Sequence, residues 1–111
     1  MKTVEILGYR ARVAQTFAER ARGLIGTKSL AADEGMLILK CNAIHTFFMS
    51  FAIDAIFLDK NDKIVKTVRN IRPGRLWVWG GFRASKVLEV VAKSASKPPR
   101  KPVKSVVSIY E

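Results

Sequence analysis

Cys41 and His45 each occur only once in the chain, and they stand four residues apart. On a strand, two such positions point to the same side, so a thiol and an imidazole would be compatible with contact as nucleophile and base. The pair comes without a locally identifiable Asn or Asp to orient it, and a lone cysteine in an apolar setting more often packs as a small hydrophobe. No catalytic residue is therefore assigned. One cysteine excludes an internal disulfide and any multi-cysteine zinc site, and one histidine excludes the two- and three-histidine metal motifs. Gly23, Gly26, Gly80 and Gly81 form neither a Walker-type loop nor a dinucleotide triplet. The expectation is no metal and no cofactor.

Asp54 lies between Ile53 and Ala55 in an apolar run. A carboxylate on a buried strand needs a partner, or it takes up a proton. Arg20 and Arg22 are natural partners, because a guanidinium grips a carboxylate with two hydrogen bonds. Two readings are open: a polar pocket in which Arg20, Arg22, His45, Met49 and Asp54 converge on a small ligand, or an ion pair that pins a helix to a sheet. Trp77 and Trp79 share one side of an extended segment among Arg69, Arg72, Arg75 and Arg83. Aromatic rings interleaved with arginines suit base stacking with phosphate contact, and equally suit tryptophans packed under arginine stems.

Charge is the strongest compositional signal in the 111 residues, whose formal net charge is +11. Residues 1–62 carry eight Lys/Arg against seven Asp/Glu, whereas residues 63–111 carry twelve against two. A face of that kind, with Arg69, Arg72, Arg75, Arg83, Arg100 and Lys101 as its candidate anion contacts, would attract nucleic acid, anionic lipid headgroups or an acidic protein. A solubilising surface is the plain alternative. No stretch approaches the roughly 18 apolar residues of a membrane span. Met1-Lys2-Thr3-Val4-Glu5 is charged where a signal peptide would turn apolar, which gives a cytoplasmic expectation.

The elements that must position these groups are mostly strands. Thr3–Val13 alternates about Gly8 as two short strands and a turn. Thr16-Phe17-Ala18-Glu19 is a capping box, so a helix near residues 17–25 should stop at Gly23 or Gly26. Met36–Leu39 reads as a buried strand, and residues 53–58 and 63–68 as a hairpin about Asp59–Asp62. Residues 46–51 are too short and aromatic for a helix. Pro73-Gly74 marks a turn, residues 77–82 a loop anchored by aromatics, and residues 86–91 a further strand. The predicted fold is α+β and predominantly β, a small barrel-like or sandwiched antiparallel sheet with one short helix. It occupies residues 1–96 as one domain, followed over 97–111 by a basic proline-rich segment that is either a surface loop before a terminal edge strand or the start of a loose tail.

Several motifs in order resemble a known family: Arg20-Ala21-Arg22-Gly23-Leu24-Ile25-Gly26, Glu34-Gly35-Met36-Leu37, Ile44-His45-Thr46-Phe47 with Met49, Ile53–Asp59, Pro73 and Val87-Leu88-Glu89-Val90. Over residues 3–92 the chain resembles the prokaryotic family called domain of unknown function 192. The resemblance implies a compact β-rich domain with one short helix near the start, and no agreed activity. Phe48 stands where the family has a small residue or tryptophan, and Val91-Ala92-Lys93 where it has a glycine, so the rim formed by that last turn should differ. The leading functional reading is a non-enzymatic binding domain with a polar pocket and a basic face for an anionic partner, nucleic acid or another polyanion. The alternatives are a small enzyme or ligand-sensing domain that uses the Arg/His/Asp pocket, and an accessory protein docking through Trp77-Val78-Trp79.

Overall fold

The computed structural model describes residues 1–93. β1 (Thr3–Ile6) and β2 (Tyr9–Ala14) form a hairpin whose two turn residues, Leu7 and Gly8, both have positive φ, the conformation that matches the twist of a tight hairpin. Then α1 (Phe17–Arg22) begins as its capping box requires: the Glu19 amide donates to Thr16 Oγ1 at 3.1 Å, and the Thr16 amide to Glu19 Oε1 at 3.1 Å. It ends at Gly23, the first of the two expected stops, whose amide donates back to the Glu19 carbonyl at 2.9 Å. None of its residues is buried, so the helix is held by its caps and by the loop after Gly23 rather than by an apolar stripe.

β3 (Glu34–Leu39), β5 (Ile53–Leu58), β6 (Ile64–Ile71) and β8 (Lys86–Val91) complete a six-stranded sheet in the order β1-β2-β3-β8-β5-β6. Every neighbouring pair is antiparallel except β2–β3, which is parallel because α1 and the segment after it carry the chain back to the starting end of the sheet. Among the described residues the sheet is thus mixed and open, with β1 and β6 as its edges, and does not close into a barrel. β4 (Ala43–Ile44) and β7 (Val78–Trp79) form a second, two-stranded sheet.

Alternation along the central strands sorts the apolar residues onto two faces. Met36, Ile38, Ile53, Ala55, Phe57 and Val87 point to one face, where Leu24, Ile44, Met49 and Val78 cover them. Tyr9, Ala11, Val13, Leu37, Ile56 and Leu88 point to the other. All six residues of β5 are buried, which is why its sequence shows no polar–apolar alternation apart from Asp54. Thr46 clamps the small sheet's end: its hydroxyl donates to the Arg72 carbonyl at 2.7 Å and accepts from the Arg75 amide at 2.8 Å. The β5–β6 turn is held by Asp59 Oδ1, which accepts from the amides of Asn61 and Lys63. The expected segment 97–111, with its edge strand, lies outside the described residues. Among those residues no helix is long and apolar enough to cross a membrane.

Candidate functional site

The end of α1, the loop after it, and β4 stand over the first face of the sheet and leave a cleft of about 270 Å³ between them. The capping box fixes the helix register, which puts Arg20 and Arg22 in its last turn. Arg20 reaches across to the Lys40 carbonyl at 3.4 Å, while its buried Nε has no hydrogen-bond partner. Arg22 curls back and donates from Nε to the Ile25 carbonyl at 3.2 Å. From the loop before β4 comes Cys41, whose thiol donates to the Ala43 carbonyl at 3.1 Å. His45 follows β4, and its Nδ1 accepts from the Phe47 amide at 3.2 Å. Met49 is buried at the cleft wall.

The floor is supplied by a residue that sequence reasoning passed over. Glu89 sits in the middle of β8, opposite Met36 on one neighbour and Ala55 on the other, so its side chain points to the cleft face. It is only 3% exposed. Gly23 eases this: a Cβ there would lie 3.1 Å from Glu89 Oε1, a tight contact that the carboxyl would have to shift to relieve, and the φ of +50° there also favours glycine. Burial pushes the Glu89 carboxyl up to about 8, making it a neutral acid and a hydrogen-bond donor at neutral pH. Burial likewise pushes the Cys41 thiol up, and the field of Glu89 adds to this while a backbone hydrogen bond at Ala43 and the charge of Arg20 oppose it. The resulting thiol is not activated as a nucleophile would be. A signal for Glu89 was present, since it is the one carboxylate between Asp62 and Glu111 and interrupts an apolar strand just as Asp54 does.

Arg20, Arg22, His45 and Met49 therefore gather around one cleft, and Asp54 does not join them. Alternation along β5 turns Asp54 to the opposite face of the sheet. There it meets a β-bulge, where Arg69 and Asn70 together oppose it between the pairs Ile53–Ile71 and Ala55–Val68. Asp54 Oδ1 accepts from the Asn70 amide at 2.8 Å, and Oδ2 lies 3.6 Å from Arg69 Nη1. The expected ion pair exists with Arg69, inside the β5–β6 hairpin, rather than with Arg20 or Arg22. Asp54→Asn should accordingly lower stability by about 1–3 kcal/mol, read from the denaturant midpoint. The rate at which Cys41 reacts with a thiol reagent should be unchanged. A changed thiol rate would mean that the bulge and the cleft are coupled.

Of the anion candidates, Arg69, Arg72, Arg75 and Arg83 are exposed, and Arg100 and Lys101 lie outside the described residues. Among the described residues, no three His, Cys, Asp or Glu side chains are grouped to hold a metal ion.

Residues 2–102 match the DUF192 family, described as an uncharacterized ACR. The chain belongs to this family. Among its relatives is a UPF0127 protein of Pyrococcus horikoshii, 39% identical over 70 residues that make up 60% of each chain. Another is a UPF0127 protein of Thermococcus sibiricus, 37% identical over 73 residues, 62% of this chain and 47% of that one. The matched part thus spans only about half to three-fifths of these relatives' length. A crystal structure of a protein of unknown function from Novosphingobium aromaticivorans superposes with a TM-score of 0.71 at 24% identity, covering 78% of this chain and 66% of that one. A Sinorhizobium meliloti protein, described as a candidate transcription regulator, also reaches 0.71 at 19% identity, over 81% and 77% of the two chains. At those identities the likeness is one of fold.

Proposed function

We propose that this DUF192 chain is a binding domain that takes a small ligand in the cleft between α1 and β4 and engages an anionic partner on its basic face. The observation that carries the cleft reading is a pair of buried polar groups aimed into one space: the neutral Glu89 carboxyl and the Arg20 Nε that has no partner. Buried donors without acceptors are rare in folded proteins, and a ligand that supplies an acceptor accounts for the Arg20 Nε. Such a ligand carries a carboxylate, phosphate or carbonyl oxygen for Arg20 and Glu89, and an apolar body for Leu24, Ile38, Ile44 and Met49. At about 270 Å³ the space suits a molecule smaller than the drug-sized occupants of 300–1,000 Å³ sites.

The test is a thermal-shift and NMR screen of small carboxylates, phosphates and amides against the full chain. A hit should raise the melting temperature with concentration as mass action requires, and should lose that effect in Arg20→Gln and Glu89→Ala. Hits that survive both substitutions would place binding elsewhere and sink the cleft reading. The basic-face reading rests on charge: residues 41–53 and 63–88 contain no Asp or Glu and seven Lys/Arg. A second reading, acid–base catalysis in the same cleft, draws support from a Glu89 pKa of about 8, near the value that proton transfer at neutral pH favours. Consumption of a screening hit, followed by NMR, separates catalysis from binding.

A further inference from the structure

We infer that the β4–β7 sheet and the turns at its two ends form a docking surface for an anionic lipid bilayer. Resting on the basic-face reading, it names the partner. The surface carries most of the large apolar side chains that the described fold leaves in solvent. Phe48 is 84% exposed, Leu76 73%, Trp77 65% and Phe82 93%, with Phe47 and Trp79 at 38% each. The segments that carry these residues are tied together by hydrogen bonds. Thr46 ties the Phe47–Phe48 turn to residues 72–75, and the pairs Ile44–Val78 and Ala43–Trp79 carry the surface along β7. The Gly80 amide then donates to the Asn42 carbonyl, and the Phe82 ring packs against Trp79 at 4.7 Å. Arg72, Arg75 and Arg83 are exposed along the surface, and the segments that build it carry no carboxylate.

A contiguous apolar patch of this kind rimmed by cations marks an interaction site rather than ordinary surface. Two features favour lipid over nucleic acid. Leu76 has no π-face to offer a base, yet it stands as exposed as the aromatics. The Trp79–Phe82 pair meets edge to face at 87°, so one ring face in it is already covered and lost to stacking. Phe48, moreover, holds its side chain outward from a left-handed backbone position, φ 62°, which is costly for a bulky residue and unexplained by any packing contact in the core. Phenylalanine, leucine and tryptophan entering the headgroup boundary, with arginines at the phosphates, is the pattern of interfacial binding.

The experiment is co-sedimentation of the full chain with phosphatidylcholine vesicles, with and without phosphatidylglycerol, across a salt series, beside fluorescence anisotropy with labelled single-stranded RNA. Binding should require phosphatidylglycerol, weaken with salt, and shift tryptophan emission to the blue. Leu76→Ser/Phe82→Ser and Arg72→Gln/Arg75→Gln/Arg83→Gln should each weaken partitioning by about tenfold or more. Phe17→Ser, which removes an 80% exposed phenylalanine outside the surface, should leave it unchanged. No sedimentation, or equal losses from Phe17→Ser, overturns the inference. RNA binding without vesicle binding overturns it while the basic-face reading stands, and binding to neither removes both.

Discussion

Glu89→Gln is expected to raise the melting temperature of the domain at pH 8 and to leave it nearly unchanged at pH 4.5 or below. Carboxylates more often have folded-state pKa values below their ordinary ones, and Glu19 and Asp59, lowered chiefly by backbone amides that donate to them, follow that pattern. Glu89 is the reverse case, raised from 4.5 to about 8 by burial. Below its ordinary value the residue is protonated in the folded and unfolded chains alike, and its titration has no effect on stability. As pH rises through the window from 4.5 to about 8, the unfolded chain releases the proton while the folded chain keeps it, so stability falls. Above about 8 the loss is complete and levels off.

At about 1.4 kcal/mol per pH unit, the whole window is worth on the order of 5 kcal/mol. Glutamine keeps the shape and hydrogen-bonding capacity without the charge, and so removes this dependence. For a domain of this size the gain at pH 8 corresponds to a rise on the order of 10 °C or more. Thermal unfolding by circular dichroism from pH 4 to 9, wild type against variant, measures it. Taking the difference removes the opposite, acid-side losses from Glu19 and Asp59. Two parallel curves across that window would show that Glu89 is ionised in the fold, and the neutral-acid description of the cleft would fall with it.

Gly80→Ala is expected to be the most damaging single-methyl addition among the described glycines. A Cβ at residue 80 would lie 2.2, 2.4 and 2.7 Å from Cδ1, Cγ and Cε1 of Phe57. Phe57 is completely buried, packed in the cluster that includes Ile53, Val78 and Val87, so its ring has nowhere to withdraw. The backbone cannot withdraw freely either, because the Gly80 amide donates to the Asn42 carbonyl at 2.7 Å and holds the small sheet in place. Overpacking without an escape route costs about 3 kcal/mol or more. The denaturant midpoint reads the loss.

A double-mutant cycle identifies its cause. Phe57→Ala alone should cost about 3–5 kcal/mol by leaving a cavity, and in that background Gly80→Ala should cost far less, since the colliding ring is gone. Additive effects would mean that the strain lies in the backbone at residue 80 rather than against Phe57. Because the β4–β7 sheet also walls the cleft and carries the exposed aromatics, the same substitution should weaken any binding on either.

Local features were the legible part of the sequence. The capping box at Thr16–Glu19 predicted a helix start, and α1 begins there, because both reciprocal bonds fall within three residues of chain. The β5–β6 hairpin was equally readable, because Asp59 organises its turn from within four residues. Arg20, Arg22, His45 and Met49 line one cleft because the last turn of α1 and the segment from β4 to Met49 meet over the same face of the sheet. Asp54 showed the limit: the sequence demanded a partner for a buried carboxylate, yet the partner comes from a bulge in the neighbouring strand, which no pattern in β5 records.

A β-rich DUF192 domain with one capped helix, a single cysteine and histidine, and a basic second half follows from residue order and composition. Which face each strand residue serves follows from strand pairing instead. Asp54 and Glu89 are both lone carboxylates in apolar strands, and nothing in their own segments distinguishes them. Strand pairing does, because side chains alternate across the sheet and α1 covers one face. Glu89 falls beneath the helix end at Gly23 and becomes the neutral floor of a cleft, while Asp54 falls on the far side and secures a bulge.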